Sequence, residues 1–422
     1  MDINIFYYLY LPTNMIYYIV PNTITPIYSH INILFNESVP TERVSQSLSR
    51  LLYDVKEQIC TREKEWDIYK KYTNTYEYIH TIIHHKKQSV SKYKPLSRSY
   101  FKMTELVNEL QLFPICGISP KPPNVFSKSL DRIVKPTAIR TFHLAEGPGG
   151  FIESVVNLRK NPEDVYYGMT ILDETNDYNI PAWKKSEYFL ISNPNVIIEK
   201  GATGTGNILS VENFVYCYKT YASQMDFITA DGGFDFSTDF NKQELHISRL
   251  LFAQVVFALV MQKEGGNFVL KIFDCFHANT VDLIFLLSSF YKTVYITKPQ
   301  TSRTGNSEKY IVCKGFMYSS TDPFYSFLYN AFADMEKNST QYIHRFLQIP
   351  IPLAFITKIE EYNAIFGQQQ IENIYTTLSL IDKNSKPERI DSMVKTNISK
   401  CIQWCIRFNI PYHHSINNNT FV

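Results

Sequence analysis

Four short segments of this chain hold residues whose types and spacing suit chemistry as well as packing. In HLAEGPGGFIESVV, residues 143–156, a β-type run ends and a glycine-rich turn opens a helix. Gly147, Gly149 and Gly150 let backbone approach a ligand closely, and the free N–H groups of a helix start favour an anionic or carboxylate end. Such a turn suits a nucleotide-like cofactor. Its spacing is not GxGxxG, because Ile152 stands three positions after Gly149, so a dinucleotide fingerprint fails. In DFITADGGFDF a strand-like run ends at Asp231 followed by two glycines. Ligands of open α/β sheets bind outside the carboxyl ends of the strands, which points Asp231 at the same crevice, although an aspartate in a plain turn has the same look. In GGNFVLKIFD, Lys271 lies inside an apolar strand, where a lysine is seldom tolerated unless paired or near the strand end. KPQTSRTGNSEKYIVCKGF sets Glu308 at the start of a strand, beside a polar loop containing Arg303.

The elements that must position these residues alternate. IRTFHLA, VYYGMTI, NVIIE, MDFITA, NFVLKIF, TVYITK and EKYIVCKGF read as seven strands, separated by helical stretches such as FIESVVNLRK, ELHISRLLFAQVVFALVMQK and NTVDLIFLLSSFYK. Strands alternating with helices predict a mostly parallel sheet covered on both faces. The last two strands have no helix between them, which predicts an antiparallel edge strand. Residues 1–90 read as an α+β accessory region: strands of a small N-terminal unit, then a charged helical stretch in which Leu48, Leu51, Leu52 and Val55 recur at helical spacing. Residues 91–317 form the central domain, entered through a segment that is basic at first and Pro-rich at ISPKPPNVF. Residues 318–422 read as helical.

Hydrophobic residues at 45% and charged residues at 19% place the 422-residue chain among folded globular proteins. The net charge of +2 is too mild to signal nucleic acid by itself, so any basic surface is local. Residues 84–102 are the candidate, with Lys86, Lys87, Lys92, Lys94, Arg98 and Lys102, no acidic residue, and Tyr93, Tyr100 and Phe101 interleaved. Alone, such a run is usually a solvated loop. The seven cysteines are widely spaced, without a CxxC pair, which predicts reduced thiols and no metal site. The apolar N-terminus is broken by Pro12, Asn14, Pro21 and Asn22 into pieces far shorter than the roughly 20 residues of a membrane span.

Taken together, the motifs resemble those of the FtsJ-like RNA ribose 2′-O-methyltransferases, most closely the cap-specific messenger-RNA branch. The resemblance runs from about Ser97 to Phe316. It implies a Rossmann-like, seven-stranded class I methyltransferase sheet and a Lys-Asp-Lys-Glu tetrad. SRSYFKMTEL selects Lys102, ADGGF selects Asp231, GGNFVLK selects Lys271 and NSEKY selects Glu308. YYGMTI and KPQTSRTGNSEKYIVCKGF also match the cap-specific branch. The resemblance implies S-adenosyl-L-methionine as cofactor, held by Glu146, Gly147, Pro148, Gly149, Gly150, Phe151 and Asp231, with Asn207 and Ile208 of GATGTGNILSVENF at its adenine. Where the family often has an acidic residue this chain has His143, and Glu146 is the expected substitute.

Methyl transfer to a hydroxyl is an in-line displacement that needs alignment and a proton acceptor and calls for no metal. A lysine titrates near 10.4 in water, so Lys271 can serve as the base only if burial and neighbouring positive charge disfavour its ammonium. Asp231 would orient Lys271, and Glu308 would hold Lys102 or the ribose hydroxyls. RNA, 5′-capped mRNA in particular, is the expected partner, captured by Lys86, Lys87, Lys92, Lys94, Arg98 and Arg303 with stacking on the interleaved aromatic rings. Other capping enzymes are expected partners. The Ile-, Asn- and Tyr-rich composition resembles that of large cytoplasmic DNA virus proteins and implies a cytoplasmic location. Two alternatives stay open: an rRNA or tRNA ribose methyltransferase, and an inactive RNA-binding subunit of a capping complex.

Overall fold

The computed structural model describes residues 15–23, 25–84, 86–115, 137–172, 182–233, 243–382 and 387–416; the Tyr-rich pieces before residue 15 and the Pro-rich ISPKPPNVF lie outside them. The chain opens with β1 (Tyr17–Val20), β2 (Ile31–Asn36), α1 (Gln46–Cys60), α2 (Glu63–Thr73) and α3 (Ser99–Leu110). The alternating region follows as β3 (Arg140–Leu144), α4 (Gly150–Arg159), β4 (Val165–Met169), α5 (Glu187–Ser192), β5 (Val196–Ile198), α6 (Val211–Tyr221), β6 (Met225–Ala230), α7 (Gln243–Met261), β7 (Gln262–Ile272), α8 (Ala278–Ser288), β8 (Tyr291–Thr297) and β9 (Lys309–Phe316). It ends with α9 (Tyr325–Lys337), β10 (Tyr342–Leu347), α10 (Leu353–Asp382) and α11 (Pro387–Arg407).

All seven expected strands form, and they lie in one mostly parallel α/β sheet of order β1-β8-β9-β7-β6-β3-β4-β5. Two details differ from expectation. The reversed strand β9 is not at the edge: it lies between β7 and β8, antiparallel to both. The edge is an eighth strand, β1, antiparallel to β8 with Tyr17 opposite Thr297. Among the described residues, the strands of 1–90 therefore make no small unit of their own. β1 extends the main sheet, while β2 pairs with β10, a strand in the region expected to be only helical. These pairings join positions about 300 residues apart, beyond the reach of any local pattern.

Side chains alternate across a strand. Phe142, Leu144, Ile228, Ala230, Phe268, Leu270 and Ile272 therefore face a core built with α6, α7, α8 and α9. Phe227, Val269, Tyr310 and Val312 face the opposite way, onto Met103, Leu106 and Val107 of α3 and Phe151, Ile152 and Val155 of α4. α7 is long and apolar enough to cross a membrane by composition, but 83% of its apolar window is buried inside the protein, so it is a core helix.

α1 docks on α10 through Leu52, Val55 and Ile59 against Ile371, Ile374 and Leu378, whereas Leu51 of the same periodic set is exposed. α1 also brings Lys56, whose Nζ lies 2.8 Å from Asp274 Oδ2 and 3.1 Å from Ser307 Oγ. Lys309 approaches the other oxygen of Asp274 at 3.4 Å. Burial pushes the Asp274 carboxyl up, but the two lysines outweigh it and hold it at about 2 instead of 3.8. A carboxylate depressed in this way contributes stability that is full above its unfolded value and is lost as pH falls through the folded one. Asp274→Asn should lower stability to urea at neutral pH by about 3–5 kcal/mol, because two buried ammoniums lose their counter-ion. The difference from wild type should shrink as pH falls from 3.8 to about 2; a deficit that stays constant over this window would show that charge is not its cause.

Candidate active site

Period-two alternation aims Lys271 at the α3 side of the sheet, since Val269, two residues earlier, packs there. Its partner across the ladder is Tyr310 of β9, and Glu308 lies two residues before Tyr310. Lys102 comes from α3, which covers this face, and Asp231 ends β6 beside β7. The four residues named from the sequence thus meet at the carboxyl ends of β6 and β7. Lys102 Nζ lies 2.6 Å from Glu308 Oε1 and donates to Oε2 at 2.8 Å. Lys271 Nζ lies 3.0 Å from Asp231 Oδ1 and donates to the Asp231 backbone carbonyl at 2.7 Å. The contact with Oδ1 is one of charge, because that oxygen meets no aligned hydrogen-bond donor. The Lys102 and Glu308 side chains are only 9% and 12% exposed, and those of Lys271 and Asp231 12% and 13%. Burial weakens the Lys102 ammonium against the opposing pull of Glu308. Burial also works against the Glu308 carboxylate, but Lys102, Lys271 and Lys298 together hold it far below the usual range.

The loop leading to Glu308 is fixed by residues beyond the four named from the sequence. Glu105, one helical turn after Lys102, is 1% exposed and accepts the backbone N–H groups of Gln300 and Thr301 at 2.7 and 3.2 Å. Burial raises its carboxyl to about 7, against the hydrogen bonds it accepts. Lys298 donates to the carbonyls of Asn306 and Glu308 at 2.5 and 2.7 Å, and Lys309 donates to that of Ser307 at 2.9 Å. Ser302 Oγ donates to Glu308 Oε1 at 2.8 Å. On the β6 side, Gln254 of α7 accepts the Gly232 N–H at 3.0 Å, leaving no room for a Cβ on Gly232. A glutamine inside the apolar run FAQVVFA was the signal available for Gln254.

The glycine turn sits at the end of β3. Gly149 adopts φ +102°, and a Cβ on Gly150 would fall 2.2 Å from Ser99 Oγ at the start of α3, so only glycine lets the two helix starts meet. His143 is fully buried, its ring nitrogens 2.8 Å from Thr141 Oγ1 and 2.7 Å from Thr229 Oγ1. Glu146 is also buried: Oε1 accepts the Ile152 N–H at 2.8 Å and Oε2 accepts the Thr229 hydroxyl at 2.9 Å. Both carboxylate oxygens of Glu146 thus brace the turn from within. Opposite, the loop after β5 uses positive φ at Gly201, Gly204 and Gly206, and a Cβ on Gly206 would strike the Thr170 carbonyl at 2.0 Å. That approach brings Asn207 and buried Ile208 to the carboxyl end of β4. Two glycine-rich loops therefore lie at the carboxyl ends of β3 and β5, on the same edge of the sheet as Asp231 at the end of β6.

The basic segment is placed differently from expectation. Tyr100 and Phe101 belong to α3 and are 4% and 1% exposed, so neither offers a ring to a base. The Tyr93 hydroxyl donates to Glu153 at 2.7 Å and its ring packs on Tyr100 at 4.9 Å. Arg303 forks onto buried Glu77 at 2.8 and 2.6 Å, and Arg98 lies 3.8 Å from the same carboxylate. Both guanidinium groups are committed to that partner. Lys86 donates to the Ile416 carbonyl at 2.8 Å, while Lys87, Lys92 and Lys94 are exposed.

Comparison with known proteins agrees with this arrangement. Residues 95–316, just over half of the chain, match the FtsJ-like methyltransferase family. The chain is 27% identical over 366 residues to the cap-specific mRNA (nucleoside-2′-O-)-methyltransferase 2 of Danio rerio, covering 82% of this chain and 44% of that protein. It is 35% identical over 182 residues to the cap-specific mRNA (nucleoside-2′-O-)-methyltransferase 1 of Homo sapiens, covering 42% and 21%. With the enzyme 1 of Trypanosoma brucei brucei it shares 40% over 119 residues, covering 28% and 32%. The matched region spans less than half the length of each of these relatives. Lys102, the glycine turn, Asp231, Lys271 and Glu308 all fall within the matched family span, and this chain belongs to the FtsJ-like methyltransferases.

Proposed function

We propose that this chain transfers a methyl group from S-adenosylmethionine to a ribose 2′-hydroxyl of RNA, at the first nucleotide of capped mRNA. The observation that carries the proposal is the meeting of two ammoniums and two carboxylates, each about a tenth exposed, beside a glycine-built cradle. Capped mRNA as the substrate rests on the relatives, which are cap-specific enzymes. A cytoplasmic setting accords with the six described cysteines, all free thiols.

The cradle fits the cofactor: Gly147 to Phe151 would take its amino-acid end at the α4 N-terminus, and Asn207 and Ile208 its adenine, with Asp231 on the β6 side of the turn. Glu146 would shape this grip by holding the turn. Bound there, the cofactor supplies an electrophilic methyl group on a sulfonium. The protein's own part is alignment and proton removal. A neutral amine has two N–H donors and one lone pair. Asp231 holds the Lys271 Nζ through its backbone carbonyl at 2.7 Å and by the charge of Oδ1, 3.0 Å away, which would keep the amine aimed at the ribose hydroxyl. Lys102 instead faces both oxygens of Glu308 and would orient the ribose.

Lys271→Ala should reduce methyl transfer by about 10²–10⁴-fold, the usual contribution of a positioned base, while calorimetric affinity for S-adenosylmethionine changes little. Turnover within a few-fold of wild type would remove Lys271 from this role. The substrate is tested separately. Wild-type protein, labelled cofactor and a short RNA with or without a cap, digested to nucleosides, should yield a 2′-O-methylated first nucleotide from the capped RNA. Label on a base, or equal labelling of internal positions in both RNAs, would overturn the assignment.

A further inference from the structure

Beside the tetrad lies a cleft of about 180 Å³ whose wall includes Tyr76, Lys298, Gln300, Ser302, Arg303 and Gln369. It opens where the loop 298–304 meets the accessory residues 74–77 and α10. Ser302 joins the two places, since it lines the cleft and donates to Glu308. Lys298 spends two N–H groups on the Asn306 and Glu308 carbonyls, and among the described residues no acceptor meets the third. We propose that this cleft holds a phosphodiester of the RNA strand beside the target ribose, with Lys298 as its counter-charge. The inference rests on the RNA-methylating function proposed above.

Electrostatics favour an anion there. Lys298 faces Lys309 and Lys102 as well as Glu308 and Asp274, and Arg98 and Arg303 stand over Glu77 at the cleft's other wall. Lys56 adds further positive charge behind these groups. Cations outnumber carboxylates, so the local field draws a phosphate oxygen. Burial, followed by the repulsion of Lys309 and Lys102, brings the Lys298 amine down to about 7, with Glu308 and Asp274 opposing the shift. An entering phosphate favours the ammonium, so RNA binding takes up a proton when the pH lies above the free amine's value. The sign follows: RNA affinity is highest below neutral pH and falls as pH rises through the titration of the free amine.

The test is fluorescence anisotropy of a short labelled RNA, capped and uncapped, with full-length protein and S-adenosylhomocysteine across pH and salt. For wild type, affinity should fall about ten-fold from slightly acid to slightly alkaline pH, in line with the loss of a charged hydrogen bond. Lys298→Gln should bind about ten-fold more weakly at the acid end, and its salt slope should be shallower by about 0.7, one phosphate's share for a single strand. Lys298→Arg, permanently charged, should bind without the pH dependence. A pH dependence in Lys298→Arg equal to wild type overturns the proposal, whether or not Lys298→Gln folds. So does a Lys298→Gln protein that binds cofactor and RNA normally but turns over slowly, since that is a loop brace alone. An effect confined to capped RNA would assign the cleft to the cap's phosphates and overturn the phosphodiester. If wild type methylates no RNA, the functional reading falls and this inference with it; if wild type methylates RNA and the variants bind it normally, only this inference falls.

Discussion

The Lys102–Glu308 ion pair is the constraint on which the rest of the site depends. It ties a helix that precedes seven of the sheet's eight strands to a strand start 206 residues later. Either charge alone in so dry a place would cost several kcal/mol, so neither residue is tolerable without the other. Pairing them fixes how α3 sits on the sheet, and hence where Gly150 must be to let Ser99 and Tyr100 approach. It also fixes the position of Glu105, which lies one turn further along α3 and holds the beginning of the loop whose end carries Glu308.

That loop shows how irregular backbone is made rigid. The carbonyls of residues 306, 307 and 308 each accept from a lysine ammonium, and the N–H groups of residues 300 and 301 meet one buried carboxylate. Buried backbone groups outside helices and sheets need such partners. Charged partners make shorter and stronger hydrogen bonds than neutral ones. The accessory region takes part through Lys56, Glu77 and Asn74, which hold Asp274, Arg303 and the Thr304 N–H. Residues 1–90 are thus part of the frame of the site as well as its neighbours.

What the sequence disclosed and what it hid divide along one line. The seven strands were legible because β-branched runs between helical stretches are local patterns, and Lys271 stood out because a strand interior gives a lone ammonium no solvent. Hidden were partnerships across the chain. Arg303 looked like a free cation because its counter-ion Glu77 is 226 positions away. Tyr100 and Phe101 looked like stacking platforms because basic and aromatic residues alternate in SRSYFK, yet the same letters wind into α3, whose one face meets α4 while the other meets Trp404 and Ile402 of α11. For the same reason β1, expected as a strand, was not expected in the main sheet, and β10 escaped notice: a short edge strand is defined by the strand it joins. Glu105 carries no motif, Gln254 shows only as a polar residue inside an apolar run, and Lys298 opens the matched KPQTSRTGNSEKYIVCKGF stretch without standing out in it; their contacts lie far away in sequence.

Charge flow offers a reason for two lysines and two carboxylates where one base could suffice. On the proposed reading, Lys271 gains the positive charge that leaves the sulfonium, and gains it next to Asp231. Once Lys271 has taken the proton, its ammonium lies within 3.0 Å of the Asp231 carboxylate. Positive charge therefore moves toward a fixed negative group in a site with little water to screen it, and such pre-oriented charge needs no reorganisation at the moment of transfer. Lys102 must not compete for the proton. Glu308, held ionised by the surrounding lysines, works toward this by opposing the loss of the Lys102 proton that burial favours, so on this reading the two pairs divide the work: one receives the proton and the other positions the ribose.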